Sequence, residues 1–473
     1  MSTMAPRESD PLLQGKPSYG KQFSLDEASY PNSPSSREAA APIGNKKGPV
    51  RRAATIAFVI AILCLVFHSD SFVGKTLRSG IHSVAQDISE STQSTNKLNG
   101  AGPYELIEAH QGSSFFDYYT FNDGPDSIGS AGYNTYVGRE KAEKLGLIKV
   151  VDHQESDGSN NYDTDEYVSL SSKAGESYDE YGNRFRDSIR LEGKRRFDHG
   201  LILLDVAKMP TGCGVWPAFW STDETNWPDH GEIDIVEPIN TQTIAKTALH
   251  TSEDCDMYAH VSRWNWTGHW DSATGLPDTF TGLPNFNTSL EADNCWTQTP
   301  HQWANQGCVA ISDRNDTIGA PMNERGGGVY ALEWDPRNEY IRSWVFPRDE
   351  IPSNLQEALL EQQGNGNEPA TRPDPSEWPT PYAYFAIGES TGCSADHFVN
   401  HRLVINLAFC GAVAGNRFQK DCPALYEKYN VHNDSVLSCN AYIDSEEAQA
   451  AIKRDAFWKI KGVYLYQREE ESA

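Results

Sequence analysis

The segment Glu232-Ile233-Asp234-Ile235-Val236-Glu237 sets three carboxylates within six residues. Side chains alternate faces along a strand, so Glu232 and Asp234 share one face while Ile233 and Ile235 share the other. Glu237 lies an odd number of positions from Glu232 and would point away. One extra residue taken up as a β-bulge around Ile235 and Val236 restores the parity and bends the strand. Three acids on one face repel one another and add nothing to stability; a solvated acidic face in front of apolar Ile, Ile and Val is the bland alternative. The chemistry that suits such a row is retaining cleavage of a glycosidic bond. One ionised carboxylate attacks the anomeric carbon and one protonated carboxyl helps the leaving oxygen depart, the two about 5–5.5 Å apart. Crowding separates their pKa values, because neighbouring carboxylates cannot all ionise easily. Glu232 is therefore expected to be the nucleophile and Glu237 the acid/base. Asp234, between them, is expected to hydrogen-bond Glu232 and to hold or share a proton.

Such a strand needs a sheet around it. Short β-rich runs recur at Gly200–Val206, Ile233–Val236, Gly328–Trp334, Tyr340–Phe346 and His401–Ala408, separated by Gly, Pro, Asn and Asp turns. Aromatic density rises at Tyr104 and stays high to about Tyr466. No internal repeat is present, and amphipathic helical stretches are few. The pattern predicts one all-β domain, a sandwich with long loops.

The chain has 473 residues, 38% of them hydrophobic and 11% aromatic, enough for a large core. Its net charge of −26 argues against nucleic acid as the main partner, since phosphate binding is carried by Lys and Arg. The charge is uneven. Residues 1–52 hold eight basic and five acidic side chains, a balance of +3, so the remainder carries −26 − 3 = −29. Between the two lies Ala53–Phe67, a run without charge. Lys46, Lys47, Arg51 and Arg52 precede it directly, which places the N-terminus in the cytosol by the positive-inside rule. The expected organisation is a disordered cytosolic tail (1–52), a transmembrane signal anchor (53–68), a Ser/Thr-rich stalk (69–103) and a catalytic domain (104–467). The chain is thus expected to be a single-pass type II membrane protein with its catalytic domain outside the cytosol, at the cell surface or in a secretory or vacuolar lumen. Glu8-Ser9-Asp10-Pro11-Leu12-Leu13 in the tail has the form of an acidic dileucine sorting signal.

Other features agree with that topology. Asn-x-Ser/Thr acceptors stand at Asn265, Asn287, Asn315 and Asn433, all after the apolar run. Beyond Cys64 there are eight cysteines: Cys213, Cys255, Cys295, Cys308, Cys393, Cys410, Cys422 and Cys439. An even count in an oxidising compartment suits disulfides, with 105 pairings open. No Cys/His cluster has zinc spacing, so neither a metal nor a cofactor is expected.

Glu-Ile-Asp-Ile-Val-Glu resembles the bulged active-site segment of glycoside hydrolase family 16, the laminarinase-type endo-β-glucanases. Met209-Pro210-Thr211-Gly212-Cys213-Gly214-Val215-Trp216-Pro217-Ala218-Phe219-Trp220 and Leu249-His250-Thr251-Ser252 resemble the strands on either side of it in fungal members. Phe115-Phe116-Asp117, Ser188-Ile189-Arg190-Leu191, Leu332-Glu333-Trp334 and Trp344-Val345-Phe346-Pro347-Arg348 extend the likeness across nearly the whole region from Tyr104 to about Tyr466. The resemblance implies a β-jelly-roll of two antiparallel sheets with a concave cleft for a β-glucan. It also implies stacking faces at Trp216 and Trp220, and polar contacts from Arg190 and His250. One departure stands out: Phe409-Cys410-Gly411-Ala412-Val413-Ala414-Gly415 lies where many fungal relatives have Gly-Asp-Trp-Ala-Gly, so Ala412 and Val413 replace an acid and an aromatic. The implied activity is endo-hydrolysis of β-1,3- or mixed-linked glucan by a monomer. Transglycosylation in wall remodelling is the alternative. A non-catalytic glucan-binding role is disfavoured by the presence of both glutamates.

Overall fold

Leu201 and Leu203 alternate with Ile202 and Leu204 along Gly200–Lys208, yet all four are fully buried. A strand apolar on both faces belongs inside a layered structure. The computed structural model describes residues 103–126, 130–151, 166–273, 291–299, 302–363 and 372–468. In it, one eight-stranded antiparallel sheet runs in the order Ala383–Ala386, Tyr340–Pro347, Gly328–Asp335, Gly200–Lys208, Trp458–Arg468, Tyr167–Leu170 and Ile148–Val151, with Tyr104–His110 also paired to Trp458–Arg468. The second runs His269–Trp270, Cys308–Ile311, Lys246–His250, Glu232–Val236, Val215–Thr222, Arg402–Phe409, Arg190–Gly193 and Tyr119–Phe121. The two-sheet sandwich is as expected. A smaller four-stranded sheet, with one parallel pair between Asn134–Tyr136 and Arg184–Ser188, is an addition.

Between the main sheets, Phe219, Ile233, Leu249 and Ile405 meet Ile202, Leu204, Leu332 and Leu465 in one continuous core. The other face of the first sheet is also covered: Leu201, Leu203, Val329 and Ala331 pack under Leu355 and Leu359 of the helix Ser353–Gln363 and against Trp344 and Trp378. This second layer explains the doubly buried strand. The five strands read from sequence all form, with ends shifted by two residues at most.

The first and last described strands lie side by side, Tyr104 opposite Arg468. Fully buried Glu333 accepts hydrogen bonds from the Tyr104 hydroxyl (2.8 Å), Arg468 Nη2 (3.1 Å) and Arg342. Arg468 Nη1 donates to Asp335 (2.7 Å). A buried charge is tolerable only when paired in this way.

Helix was underestimated. Phe418–Asp421, Pro423–Lys428, Ser435–Asp444 and Glu446–Asp455 form a helical insert between the strands Arg402–Phe409 and Trp458–Arg468. They are four to ten residues long, too short for a period of 3.6 to stand out. Their caps were legible: Asp434 accepts from Leu437 N–H and Ser445 from Ala448 N–H. Two disulfides, Cys410–Cys439 and Cys213–Cys422, bind the insert to the sheet; Cys255–Cys393 and Cys295–Cys308 bind the loops beyond the Lys246–His250 strand. All eight cysteines after the apolar run are paired.

The tail, the expected anchor at 53–68, the stalk and Asn287 lie outside the described residues. No helix among the described residues is long and apolar enough to cross a membrane. Of the other acceptor asparagines, Asn315 and Asn433 are exposed and Asn265 is half-buried.

Candidate active site

The strand Glu232–Val236 carries the expected bulge. Opposite Val215–Thr222, Thr222 pairs with Glu232, Ser221 with Ile233 and Trp220 with Asp234, and then the register jumps so that Phe219 pairs with Val236. Ile235 is the extra residue. Ile235 and Val236 consequently both enter the sandwich core, and the next residue, Glu237, is free to face the same way as Glu232 and Asp234. Gly231, just before the strand, has φ +73°, and a Cβ there would meet the His397 carbonyl oxygen at 2.4 Å. Only glycine fits this entry.

Each carboxyl has its own partner from a neighbouring element. Trp227 Nε1 donates to Glu232 Oε2 (2.7 Å), and Trp216 Nε1 donates to Glu237 Oε1 (2.8 Å). His250, paired with Glu232 on the next strand, sets its Nε2 3.0 Å from Asp234 Oδ2. His250 Nδ1 is buried without a hydrogen-bond partner among the described residues. A proton on Nε2 therefore leaves a bare nitrogen unpaired rather than an N–H, the cheaper arrangement. Lys246 Nζ lies 3.8 Å from Glu237 Oε2.

These surroundings act on protonation. Burial first, and then the negative charge of Asp234, push Glu232 up to about 8; His250 and the Trp227 N–H pull the other way. Asp234 is raised well above the usual carboxylate range, again chiefly by burial and then by the charge of Glu237, with Lys246 opposing. Two buried acids this close titrate as a pair and retain one proton between them. Asp234 is its natural holder: it is the more deeply buried, whereas Glu232 keeps the stabilising indole N–H. With that proton in place the largest repulsion on Glu232 disappears and its carboxylate form is accessible. Glu232, Asp234 and His250 also bring one donor atom each within 4.8 Å of one another, a spacing that a metal ion could use. Within this group Glu232 Oε2 accepts from the Trp227 indole and Asp234 Oδ2 is hydrogen-bonded to His250 Nε2.

The sequence-derived ligand residues fall nearby with altered parts. Trp216 is buried, packed on Ile239, Ala408, Ala414 and Val413, and offers its N–H to Glu237 more than its face to a sugar. Trp220 is half-buried on the floor beside Asp234; its Nε1 donates to Asn406 Oδ1 (2.7 Å) and the Arg190 guanidinium lies over its ring at 5.0 Å. Arg190 in turn donates to Glu192 (3.0 Å). Ala412 and Val413 sit in the turn Gly411–Gly415, with Val413 against Trp216.

Four contributors escaped the sequence reading. Asn406 and Lys246 gave no signal beyond their place on neighbouring strands. Trp227, five residues before Glu232, was open to notice as an aromatic adjoining the acidic segment. Asp223 is the fourth, fully buried at the base of the Trp227 loop. Against the pull of burial, hydrogen bonds from Asn226, Thr225, Asn400 and His230 hold its carboxylate far below the usual range. His401, pushed down to about 4 by burial, braces the same loop through Ser221 Oγ (2.9 Å) and the His230 carbonyl (2.6 Å).

Residues 116–466 match a family described as "XgeA-like, catalytic GH16 domain". A "Probable endo-1,3(4)-beta-glucanase" of Aspergillus fumigatus is 33% identical over 366 residues, 77% of this chain and 45% of its own length. The chain thus spans about half the length of the Aspergillus relatives it matches. Among solved structures, an elongating GH family 16 β-1,3-glucosyltransferase is 30% identical with a TM-score of 0.57, covering 77% of this chain and 100% of that one. Laminarinase 16A from Phanerochaete chrysosporium, solved with β-glucans in both donor and acceptor sites, has the same coverage and TM-score at 26% identity.

Proposed function

The chain belongs to glycoside hydrolase family 16, and on that footing we propose that it cleaves β-1,3- or mixed β-1,3/1,4-glucan internally with retention of configuration. The observation that carries this reading is the bulge at Ile235, which turns three carboxylates of one strand toward one surface. Glu232 attacks the anomeric carbon while Glu237 protonates the departing glycosidic oxygen, giving a glycosyl ester on Glu232. Glu237 then takes a proton from the incoming water, which opens the ester. Asp234, proton-bearing and braced by His250, keeps the charge on its neighbour. Trp220, with Asn406 and Arg190 behind it, forms an aromatic floor for a glucosyl ring. No cofactor enters these steps.

The second reading is transfer of the same ester to a sugar hydroxyl, supported by the likeness to an elongating β-1,3-glucosyltransferase. Incubation with laminarin, lichenan and pustulan decides between them. Shorter products alone mark a hydrolase, longer ones a transferase. A folded protein that alters none of them refutes both.

We also propose an extracytosolic catalytic domain, monomeric, glycosylated at exposed Asn315 and Asn433, and carried on the anchor at 53–68. Four disulfides in the domain support an oxidising compartment. Protease treatment of sealed vesicles tests it: the domain should survive and the 1–52 tail should not.

A further inference from the structure

The two flanks of the carboxylate strand differ. On the Val215–Thr222 side the floor carries Trp220, Asn406 and Arg190, already tied to one another. On the Lys246–His250 side, Ala248 is buried in a small aliphatic cluster with Ala273, Ala292 and Val309, against which Ile311 packs. Lys246 and His250 share the face of Ala248, two positions to either side. His250 is committed to Asp234. Lys246 is paired less tightly: its ammonium faces Glu237 Oε2 at 3.8 Å, an ion pair beyond hydrogen-bond reach, and its side chain is 17% exposed. The charged groups around Glu237 are Lys246 from the next strand and Glu232 and Asp234 from its own; the Val215–Thr222 strand supplies only the neutral Trp216 N–H.

We infer that Lys246 is the acceptor-side anchor of the cleft, its ammonium donating to a hydroxyl of the glucosyl unit that departs on cleavage or enters on transfer. This rests on the glycosidase reading. The acid/base group stands at the glycosidic oxygen, between the ring under attack and the departing sugar. A three-donor ammonium beside it stands within reach of that sugar. In transfer, the C1–O bond to Glu232 breaks, the acceptor oxygen forms the new bond to C1, and the acceptor proton passes to Glu237. Lys246 orients that acceptor and exchanges no proton.

The experiment supplies the full chain with laminarin as donor and laminaribiose as added acceptor, and counts transfer products per cleavage at rising laminaribiose. Loss of a hydrogen bond from a charged donor corresponds to about tenfold in affinity. In Lys246→Met the half-saturating laminaribiose should rise about tenfold, and Lys246→Arg should restore most of it. A Lys246→Met protein with the wild-type partition ratio overturns the inference, as does one in which hydrolysis and transfer fall by the same factor. Absence of transfer by the wild type at saturating laminaribiose overturns it too. A wild-type chain that cuts no glucan overturns the glycosidase reading instead.

Discussion

Replacing Glu232 by Gln should abolish turnover and at the same time make the protein more stable. In the folded chain Glu232 is pushed from the ordinary 4.5 up to about 8, so at pH 7 the Glu232–Asp234 pair keeps a proton that the unfolded chain has released. A group with a raised folded pKa binds more protons when folded, so stability falls as pH climbs from about 4.5 to about 8 and is level beyond. For the pair's retained proton the cost at pH 7 is at most about 1.36 × 2.5, or roughly 3 kcal/mol, of which Glu232 carries a part, and less than about 1 kcal/mol at pH 5. Glutamine removes Glu232's share of that dependence while keeping an acceptor oxygen for the Trp227 N–H; Asp234, raised by burial and by the charge of Glu237, keeps its own. The midpoint of thermal unfolding should therefore rise by up to about 4 °C at pH 7 and by about 1 °C or less at pH 5. Activity on laminarin should drop by about 10⁴-fold or more, with glucan binding retained. The assays are thermal scans at the two pH values, reducing-end release, and affinity electrophoresis in laminarin. An equal gain at both pH values would refute the burial argument, and residual hydrolysis near wild type would refute the nucleophile assignment.

Three other perturbations separate the remaining roles. Glu237→Gln should cut hydrolysis of laminarin by about 10³-fold but that of a dinitrophenyl laminaribioside far less in the first step, because that leaving group needs no proton; equal losses on both substrates would remove Glu237 from the acid role. Asp223→Ala releases the hydrogen bonds from Thr225, Asn226, His230 and Asn400 that hold the Trp227 loop and should lower kcat/KM by about tenfold or more, while the four disulfides and the core keep the protein folded; an unchanged value would show that the loop holds itself. Cys213→Ser with Cys422→Ser removes a link between residues 209 apart in sequence and should lower stability by about 2–5 kcal/mol, and an unchanged urea midpoint would show the insert to be held by packing alone.

The chemistry was legible where local pattern decides it. The parity mismatch of Glu237 required a bulge, and Ile235 supplies one. Strands such as Tyr340–Pro347 showed themselves because β-rich runs bounded by turn residues are local signals. What stayed hidden depends on non-local pairing. Trp216 reads as a stacking platform until Ile239 and Ala414 are seen covering it. Lys246 acquires meaning only because antiparallel register sets it across from the end of the acidic strand. The disulfide partners were open for the same reason, since spacing along the chain says nothing of which loops meet. The helices of the insert were missed because each is short, and they are stabilised by packing against Val215, Leu407 and Phe409 of the sheet.

The pairing of Tyr104 with Arg468 fixes a mooring point. The first strand belongs to the sheet that does not bear the carboxylates, and its leading residue is locked into the Glu333 charge cluster. Whatever precedes Tyr104 leaves the domain from that sheet, and a load applied through it falls first on a buried set of ion pairs rather than on the catalytic strand.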